Sequence, residues 1–440
     1  MQCVSRPYLA IQKRFPWPSA LGNFPSMTKK GAPHLAALTR RRFLQTTGWV
    51  GLSGLVATRI VTAKAAETIV LPFANGTRSL VTFPQKRPLI LLTTRPPQLE
   101  TPFSVFNKGV LTPNDAFFVR YHLSQVPTSI DPASFTLTVN GSVNSPLTLS
   151  LQELKSKFEI VELVAVNQCS GNGRGFFSPR VAGSQMGNGA MGNARWKGVR
   201  LRQVLQKAGL SADSRQVTFN GLDSPVVQKT PDFVKALDLE QALDEDTLLA
   251  YEMNGQALLM LNGFPLRLVV PGHYGTYWVK HLNQITVLRE PFSGYWMDSA
   301  YRIPDNGCSC VEPGAIPKKT KPIARYNVRS FITSLADGDR LVVRREVVVR
   351  GIAFDGGYGI AQVLFSADDG QTWRETQLGH DIGKYSFREW SLPFTPDRAG
   401  AHHMKVKATN RIGQSQPLEP LWNPAGYMRN VVETVHVNAA

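Results

Sequence analysis

The 440-residue chain has a hydrophobic content of 42%, enough for the cores of two or more domains, and this excludes a largely disordered protein. Its formal net charge of +17 points at first to nucleic acid, but residues 1–65 carry ten Lys or Arg side chains and no Asp or Glu. The other residues hold 39 basic against 32 acidic side chains, which suits an anionic small substrate or an acidic partner at least as well as DNA. Because no RNA- or DNA-binding motif appears, we expect no nucleic-acid partner.

Residues 1–65 are predicted to be a twin-arginine signal peptide. The sequence TRRRFL at 39–44 matches the twin-arginine pattern, a weakly apolar segment follows at 48–60, and small residues form a cleavage site ahead of Ala66. The apolar segment is too short to span a bilayer, so we expect no membrane span. This route exports proteins already folded, usually around a cofactor, and it predicts a periplasmic location. Two start sites for translation remain open, Met1 and Met27.

The next predicted elements belong to an extended segment and an α+β domain. Residues 66–112 are rich in proline and are predicted to wrap a domain rather than to form one. Residues 113–303 mix helical and strand patterns and are predicted to be the α+β domain. In chain order, the patterns predict a strand at 135–141, a helix after the N-cap Ser150, a helix at 201–208 closed by Gly209, and a buried strand at 264–271.

The last part of the chain changes character. Residues 304–322 are rich in Pro, Gly, Cys and Lys and are predicted to be a linker. After it, residues 323–440 contain short segments that alternate or are rich in β-branched side chains, with turn residues between them. Regularly spaced short strands of this kind predict an all-β, immunoglobulin-like sandwich. The segments lie at 340–353, 361–367 and 402–409, with a hairpin turn at 366–373.

The cysteines are few and do not form a disulfide framework. Cys3 lies in the signal peptide, which leaves Cys169, Cys308 and Cys310. No CxxCH motif is present, so we expect no haem on this chain. Cys308 and Cys310 are two residues apart and could form only a strained disulfide, so both are predicted to be structural thiols.

Cys169 lies in a loop with the sequence NQCSGNGRG at 167–175. Its glycines would let the backbone approach a bulky ligand closely, and the loop lacks the ending of a phosphate-binding P-loop. The thiolate is a soft metal ligand, and a cationic neighbour such as Arg174 would favour the deprotonated form. A nucleophile paired with a histidine base and a buried, inert cysteine remain open alternatives at this point.

Motifs on both sides of this loop change the interpretation. In chain order they are FFVRYH at 117–122, GNGAMGNARWKGVR at 187–200, YEMNGQ at 251–256, NGFPLRLVVPG at 262–272, WVK at 278–280 and YWMDSAY at 295–301. Together with the terminal sandwich, they resemble the sulfite oxidase family of molybdenum enzymes over residues 100–440. The resemblance is strongest to the molybdopterin subunits of bacterial periplasmic sulfite:cytochrome c dehydrogenases.

The resemblance implies a site for molybdenum, one atom per chain. Cys169 would ligate the metal beside the dithiolene of one molybdopterin. The pocket for sulfite, a small dianion, would be built from Arg120, Arg174 and Arg429, since guanidinium groups hold anionic oxygens well. His122 would lie near the pterin and the pocket, and Tyr301 would donate its hydroxyl to a substrate oxygen.

The resemblance also implies which residues bind the cofactor. The animal enzymes carry histidine where this chain has Asn262, so that contact is in doubt. Besides Cys169, the implied cofactor-binding residues are Arg120, Tyr121, His122, Asp223, Asn262, Arg267, Trp278, Val279 and Lys280.

The sequence therefore predicts a periplasmic sulfite dehydrogenase. It would oxidise sulfite to sulfate by two electrons at a molybdenum–molybdopterin centre and pass the electrons to a c-type cytochrome, either a subunit or a soluble protein. The terminal sandwich would serve a homodimer. The alternatives are another molybdenum enzyme of this fold, a sulfoxide reductase or a sulfur-compound dehydrogenase, and an exported protein that binds without catalysis.

Overall fold

The computed structural model describes residues 67–70 and 76–440, all within one compact unit, Lys64–Ala440. The predicted signal peptide lies outside the described residues. Within the described part, no helix is long and apolar enough to cross a membrane.

An antiparallel five-stranded sheet begins the described chain. Its strands follow one another in sequence: Thr68–Val70, Thr77–Val81, Leu89–Thr94, Pro97–Glu100 and Val119–Arg120. The described residues of the segment 66–112 contribute four of these strands, and a small core lies around Leu89 and Leu99. The final strand pairs Arg120 with Gln98, and this pairing fixes where Arg120 lies.

Two further five-stranded sheets and four helices form the α+β part. The first sheet contains Thr136–Gly141, Leu147–Ser150, Gln216–Gly221, Lys235–Asp238 and Leu282–Leu288. The second contains Ile160–Gln168, Met191–Arg200, Leu248–Met253, Gln256–Ala257 and Arg267–Val269. The helices are Leu151–Lys157, Leu201–Ala208, Leu239–Ala242 and Tyr295–Asp298. Short 3-10 turns lie at Phe103–Asn107, Asn114–Ala116, Arg174–Phe176, Met260–Asn262 and Gly275–Tyr277.

The predicted local signals are confirmed. Ser150 caps the helix Leu151–Lys157 by accepting from the Glu153 amide, and the Glu153 side chain accepts in return from the Ser150 amide. The helix Leu201–Ala208 ends at Gly209, whose φ of +71° favours glycine. The strand predicted at 264–271 is shorter, Arg267–Val269, and it is buried along its length.

The C-terminal part is the predicted all-β sandwich. One sheet contains Arg329–Ile332, Val347–Phe354, Gln377–Leu378 and Arg388–Phe394. The other contains Arg340–Leu341, Ile360–Ser366, Arg374–Glu375, Gly400–Asn410 and Thr434–Ala439. The predicted hairpin is confirmed, because Phe365 pairs with Arg374. Buried side chains from both sheets, such as Trp390 and Met404, form its core.

A pair of strands holds together the two ends of the segment predicted as a linker, 304–322. The strand Arg302–Pro304 pairs antiparallel with Thr320–Pro322. The prediction that Cys308 and Cys310 are structural thiols is wrong, because the two form a disulfide. Ser309 between them adopts a left-handed conformation with φ of +53°, and the two Cα atoms lie 5.1 Å apart, within the usual range for a disulfide.

Candidate active site

A cavity is lined by side chains from segments that are far apart in the sequence. Cys169 lines it, together with Arg120, His122 and Tyr301. Its other lining residues are Phe117, Phe118, Asn167, Ser170, Asp223, Phe233, Leu261, Asn262, Arg267, Gly275, Thr276, Trp278, Val279 and Lys280.

Main-chain hydrogen bonds between two glycine-rich loops fix the position of Cys169. The strand Ile160–Gln168 ends just before it, and the Cys169 amide donates to the Ala190 carbonyl over 2.9 Å. The Gly173 amide donates to the Gly187 carbonyl over 2.7 Å. Cys169 is a buried free thiol, so its sulfur is available to a ligand inside the cavity.

The glycines of the Cys169 loop make room for arginines of the protein. A Cβ atom on Gly171 would lie 2.9 Å from the Arg174 guanidinium, and a Cβ on Gly173 would lie 3.3 Å from Cδ of Arg429. We expected these glycines to admit a bulky ligand. In the structure their bare backbone instead lets the two arginine side chains pack against the loop.

Arg120 and His122 reach the cavity because they alternate along an extended segment. Successive side chains of such a segment face opposite sides, so Tyr121 between them points away. The Tyr121 hydroxyl lies 2.7 Å from Nε2 of His281, and Lys280 lies over the Tyr121 ring, 4.1 Å from its centre. Tyr121 therefore supports Lys280 rather than lining the cavity.

His122 and Tyr301 form the polar part of one wall. The His122 ring nitrogen Nε2 contacts the Tyr301 hydroxyl, and the imidazole stacks on Phe233 with the ring centres 3.8 Å apart. Burial lowers the pKa of His122 well below its usual value and raises the pKa of Tyr301 well above it. Both groups are therefore neutral near pH 7, so the imidazole can accept a hydrogen bond and the phenol can donate one.

Buried cations define the opposite part of the cavity. Burial lowers the pKa of Lys280 and also lowers the pKa of Arg267, to about 10. The Lys280 ammonium donates to the Arg120 carbonyl over 2.6 Å, and Arg267 donates to the Asn262 carbonyl over 2.8 Å. Asp223 is the one acidic side chain among the described lining residues. The site therefore suits an anion.

Several polar atoms at this site are buried and have no hydrogen-bond partner among the described residues. They are Nε of Arg267, Oγ of Ser170 and Oγ1 of Thr276. A buried donor without a partner costs about 1–3 kcal/mol, so such atoms mark a place where a polar ligand would bind.

Two of the predicted substrate arginines do not line the cavity. Nε of Arg174 donates to the Ala425 carbonyl over 3.1 Å, and its guanidinium lies over the Tyr427 ring at 4.9 Å. Arg429 pairs with Glu433 and lies over the Phe176 ring. Arg120 is thus the one predicted substrate arginine that the structure brings into the cavity.

Most of the predicted cofactor-binding residues line the cavity, unlike the predicted substrate arginines. Asp223, Asn262, Arg267, Trp278, Val279 and Lys280 all line the cavity beside Cys169, Arg120 and His122. Asn262 also accepts from a buried lysine, Lys86, through its side-chain oxygen. At the position where the resemblance implies a histidine in the animal enzymes, this chain therefore has a polar side chain with a hydrogen-bond partner.

Sequence reasoning missed several residues of the site. Ser170 and Thr276 are neighbours of the recognised motifs, and proximity to them could have identified both. Phe233 and Lys86 stand in segments without any recognisable signal. Tyr427 stacks on Tyr301 with ring centres 5.2 Å apart, and only the fold brings these two residues together.

Two family models match the chain and define its class. The oxidoreductase molybdopterin binding domain matches residues 122–296, and the Mo-co oxidoreductase dimerisation domain matches residues 320–440. Together they cover more than half of the chain, so it is a molybdenum oxidoreductase with a dimerisation domain. The chain belongs to the sulfite oxidase family.

Relatives and a solved structure agree with this assignment. Mitochondrial sulfite oxidase of Rattus norvegicus is 34% identical over 372 residues, which cover 80% of this chain and 66% of the rat protein. Sulfite oxidase of Gallus gallus is 33% identical, over 83% of this chain and 80% of the chicken protein. The sulfane dehydrogenase SoxCD from Paracoccus pantotrophus has a TM-score of 0.67 at 20% identity, over 89% of this chain and 96% of that chain, and so shares the fold.

The residues present fit the cofactor that the matched domain implies, a molybdenum–molybdopterin group. A thiol, a set of buried cations and buried polar atoms without partners surround one cavity. The thiol is of the kind that soft metals prefer, and the cations suit a phosphate. Cys169 would hold the metal, and Arg267 and Lys280 would hold the phosphate.

Proposed function

We propose that this chain oxidises sulfite to sulfate at a molybdenum–molybdopterin centre and passes the electrons to a c-type cytochrome. One observation carries the proposal: a single cavity contains a free thiol, a guanidinium, an imidazole and a phenol, from Cys169, Arg120, His122 and Tyr301. The sulfite oxidases among the relatives support the choice of substrate.

The bound cofactor supplies the two-electron redox chemistry and the oxygen transfer. The protein would hold it in place: Cys169 would bind the metal, and Arg267 and Lys280 would neutralise the phosphate. The partnerless Nε of Arg267 would then gain an acceptor. Hydrogen bonds to ionised groups are roughly twice as strong as neutral ones. Burial strengthens them further, because the dielectric constant is lower inside the protein.

Arg120, His122 and Tyr301 would bind and orient sulfite. The Arg120 guanidinium offsets the negative charge and offers paired donors to anionic oxygens. Because the pKa of Tyr301 is raised, its hydroxyl keeps the proton near pH 7 and donates a hydrogen bond. Neutral His122, which contacts that hydroxyl, would hold it in position by a hydrogen bond.

A second candidate is a dehydrogenase of another reduced sulfur compound. It is favoured by the engagement of Arg174 and Arg429 with protein groups, which leaves Arg120 as the one predicted substrate arginine in the cavity. A substrate with less negative charge than sulfite would need fewer cations. The solved structure of similar fold is that of a sulfane dehydrogenase, so a reduced sulfur compound is retained as the alternative substrate.

We further propose that the chain is exported to the periplasm and forms a homodimer. The twin-arginine pattern at 39–44 supports export, and the dimerisation domain at 320–440 supports the dimer. A periplasmic location would make c-type cytochromes available as acceptors. Gel filtration with light scattering and fractionation of cells expressing the full chain would test these two points.

The decisive experiment measures sulfite-dependent reduction of cytochrome c by the purified protein, with molybdenum content determined on the same sample. We expect activity with about one molybdenum per chain. Molybdenum without sulfite activity would shift the proposal to the other sulfur compounds. Protein free of molybdenum, from a host that makes the cofactor, would contradict both candidates.

A further inference from the structure

A second cavity lies apart from the one that contains Cys169. Both cysteines of the Cys308–Cys310 disulfide line it. The aromatic residues Phe176 and Trp422 line it as well. None of the roles proposed above uses this disulfide.

We propose that this cavity is a binding and modification site for an anionic sulfur nucleophile, sulfite, which opens the Cys308–Cys310 disulfide. The choice of sulfite rests on the proposed function, since that function would expose the chain to it. The sulfite sulfur attacks one cysteine sulfur and forms a cysteine S-sulfonate. The bond between the two cysteines breaks, and its electron pair leaves on the other cysteine as a thiolate. The step needs no further oxidant or reductant.

Access to the disulfide supports the reaction. Cys308 is exposed and Cys310 is half-buried at the cavity wall. Exchange requires a nucleophile to reach a sulfur atom, and exposed disulfides are the labile ones. The third cysteine described by the structure, Cys169, is buried in the other cavity and is not exposed to this reaction.

The backbone of the ring also favours opening. Ser309 has a φ of +53°, in a region that non-glycine residues rarely adopt. The Asn306 side chain holds this turn by donating to the Cys310 carbonyl over 2.7 Å and accepting from the Cys310 amide over 3.2 Å. Opening the disulfide removes one of the constraints that hold Ser309 in this conformation.

Positive charge at the cavity supports recognition of a dianion. Arg429 lines the cavity, and Glu433 pairs with both Arg429 and the buried Arg329. The two guanidinium groups carry two positive charges and share one carboxylate, so these three side chains together keep a net positive charge. Glu312 also lines the cavity, but it is exposed, and solvent screens its charge.

The test compares the folded holoprotein with an oxidised peptide spanning residues 306–312, which has the ring but no cavity. Sodium sulfite is added without an electron acceptor, so that oxidation cannot turn over, and peptide mapping counts S-sulfonate and free thiol at Cys308 and Cys310. We expect the folded protein to react faster, by about tenfold, because the Arg429 guanidinium at the cavity wall attracts the anion. An equal or slower rate would overturn the proposal.

Three variants and a second reagent sharpen the result. Arg429→Gln should remove most of the rate advantage, whereas Arg345→Gln, at an exposed arginine of the sandwich, should retain it. The uncharged phosphine tris(3-hydroxypropyl)phosphine, which opens disulfides without a negative charge on the nucleophile, should show no advantage in the folded protein. An advantage for both reagents would contradict recognition of an anion. Cys308→Ser with Cys310→Ser should give no adduct.

These outcomes are independent of the proposed function. A protein without sulfite-oxidising activity can still form the S-sulfonate, and the double serine variant should oxidise sulfite at the parent rate if the parent does. Failure of the adduct with normal oxidation rejects the second site alone. Failure of oxidation with a normal adduct rejects the proposed function alone.

Discussion

At the residue scale, Cys169 owes its position to the backbone and its chemistry to its side chain. Its amide is fixed by the Ala190 carbonyl, so replacing sulfur by oxygen should leave the loop in place. We expect Cys169→Ser to abolish activity and weaken molybdenum retention, because a hydroxyl is a poor ligand for a soft metal.

Metal analysis and circular dichroism of the Cys169→Ser variant would check this. A matched control is available, since Cys308→Ser with Cys310→Ser alters the other two cysteines described by the structure and should keep the metal. If Cys169→Ser retained molybdenum and oxidised sulfite at the parent rate, the ligand assignment would be wrong.

Two of the predicted substrate arginines, Arg120 and Arg174, should differ when each is replaced. Arg120 lines the cavity, so Arg120→Gln should raise the sulfite KM by about tenfold or more, the effect of losing a hydrogen bond to a charged group. Arg174 donates to main-chain carbonyls, so Arg174→Gln should lower the Tm and raise the KM less.

Steady-state kinetics and thermal melts on the same samples would separate these effects. Arg195→Gln serves as a control, because this arginine forms an exposed ion pair with Glu162 and should change neither quantity appreciably. An Arg174→Gln variant with the larger rise in KM and an unchanged Tm would place Arg174 at the substrate instead.

Much of the site could be predicted from the sequence because its residues lie in recognisable motifs. Cys169, Arg267 and Lys280 are of this kind. The sequence could not show that Arg174 turns away from the cavity, because this depends on the distant Ala425 carbonyl and Tyr427 ring. Lys86 was not predicted as a residue of the site for a similar reason, since its partner Asn262 lies 176 residues away in the sequence.

At the element scale, local signals were reliable where a few adjacent residues determine the structure. The helix Leu151–Lys157 is an example, since Ser150 and Glu153 cap it by their own side chains. The pair of strands at the two ends of the segment 304–322 was not predictable, because Arg302–Pro304 pairs with Thr320–Pro322 across a long, irregular loop. Composition alone indicated only that this loop lacks regular structure.

The cap at Ser150 can be tested directly. Ser150→Ala should lower the free energy of unfolding by about 1 kcal/mol, because the Glu153 amide loses its acceptor and the capping box is broken. Urea unfolding would measure it. Ser156→Ala changes the same residue type at an exposed position of the same helix and should have an effect within about 0.5 kcal/mol. Equal effects of both variants would contradict a role of the cap.

At the scale of the whole molecule, the sandwich helps to hold the site. Arg329, from the first strand of the sandwich, is buried and donates to the Gln168 side chain over 3.3 Å and to the Asn188 side chain over 3.0 Å. These residues belong to the two loops that position Cys169. The C-terminal domain therefore contributes to the geometry of the two loops that position Cys169.

The buried lysines make a prediction about the cofactor-free protein. Burial lowers the pKa of Lys86 and of Lys235 to about 7, from 10.5, and it lowers the pKa of Lys280 in the same direction. Below pH 7 these lysines are charged in both the folded and unfolded states, and the folded state bears the full cost of burying them. Between pH 7 and about 10 only the unfolded chain binds the protons.

The free energy of unfolding of the cofactor-free protein should therefore rise with pH in this window, by about 1.4 kcal/mol per pH unit for each such lysine. A bound phosphate would keep Lys280 charged and flatten the profile. The stabilisation by the cofactor should thus be largest near pH 7 and shrink as the pH rises. Asp223, whose pKa is raised to about 6, titrates below this window.

Urea unfolding from pH 7 to 9.5, on protein made with and without the cofactor, would measure both profiles. Lys280→Met should remove the contribution of one lysine from the cofactor-free slope, whereas Lys157→Met, at an exposed lysine of the first helix, should leave that slope unchanged. Parallel profiles of the two forms would contradict the assignment, because an anion that binds beside buried cations must change their protonation. The pH dependence of stability thus reports on the phosphate site independently of catalysis.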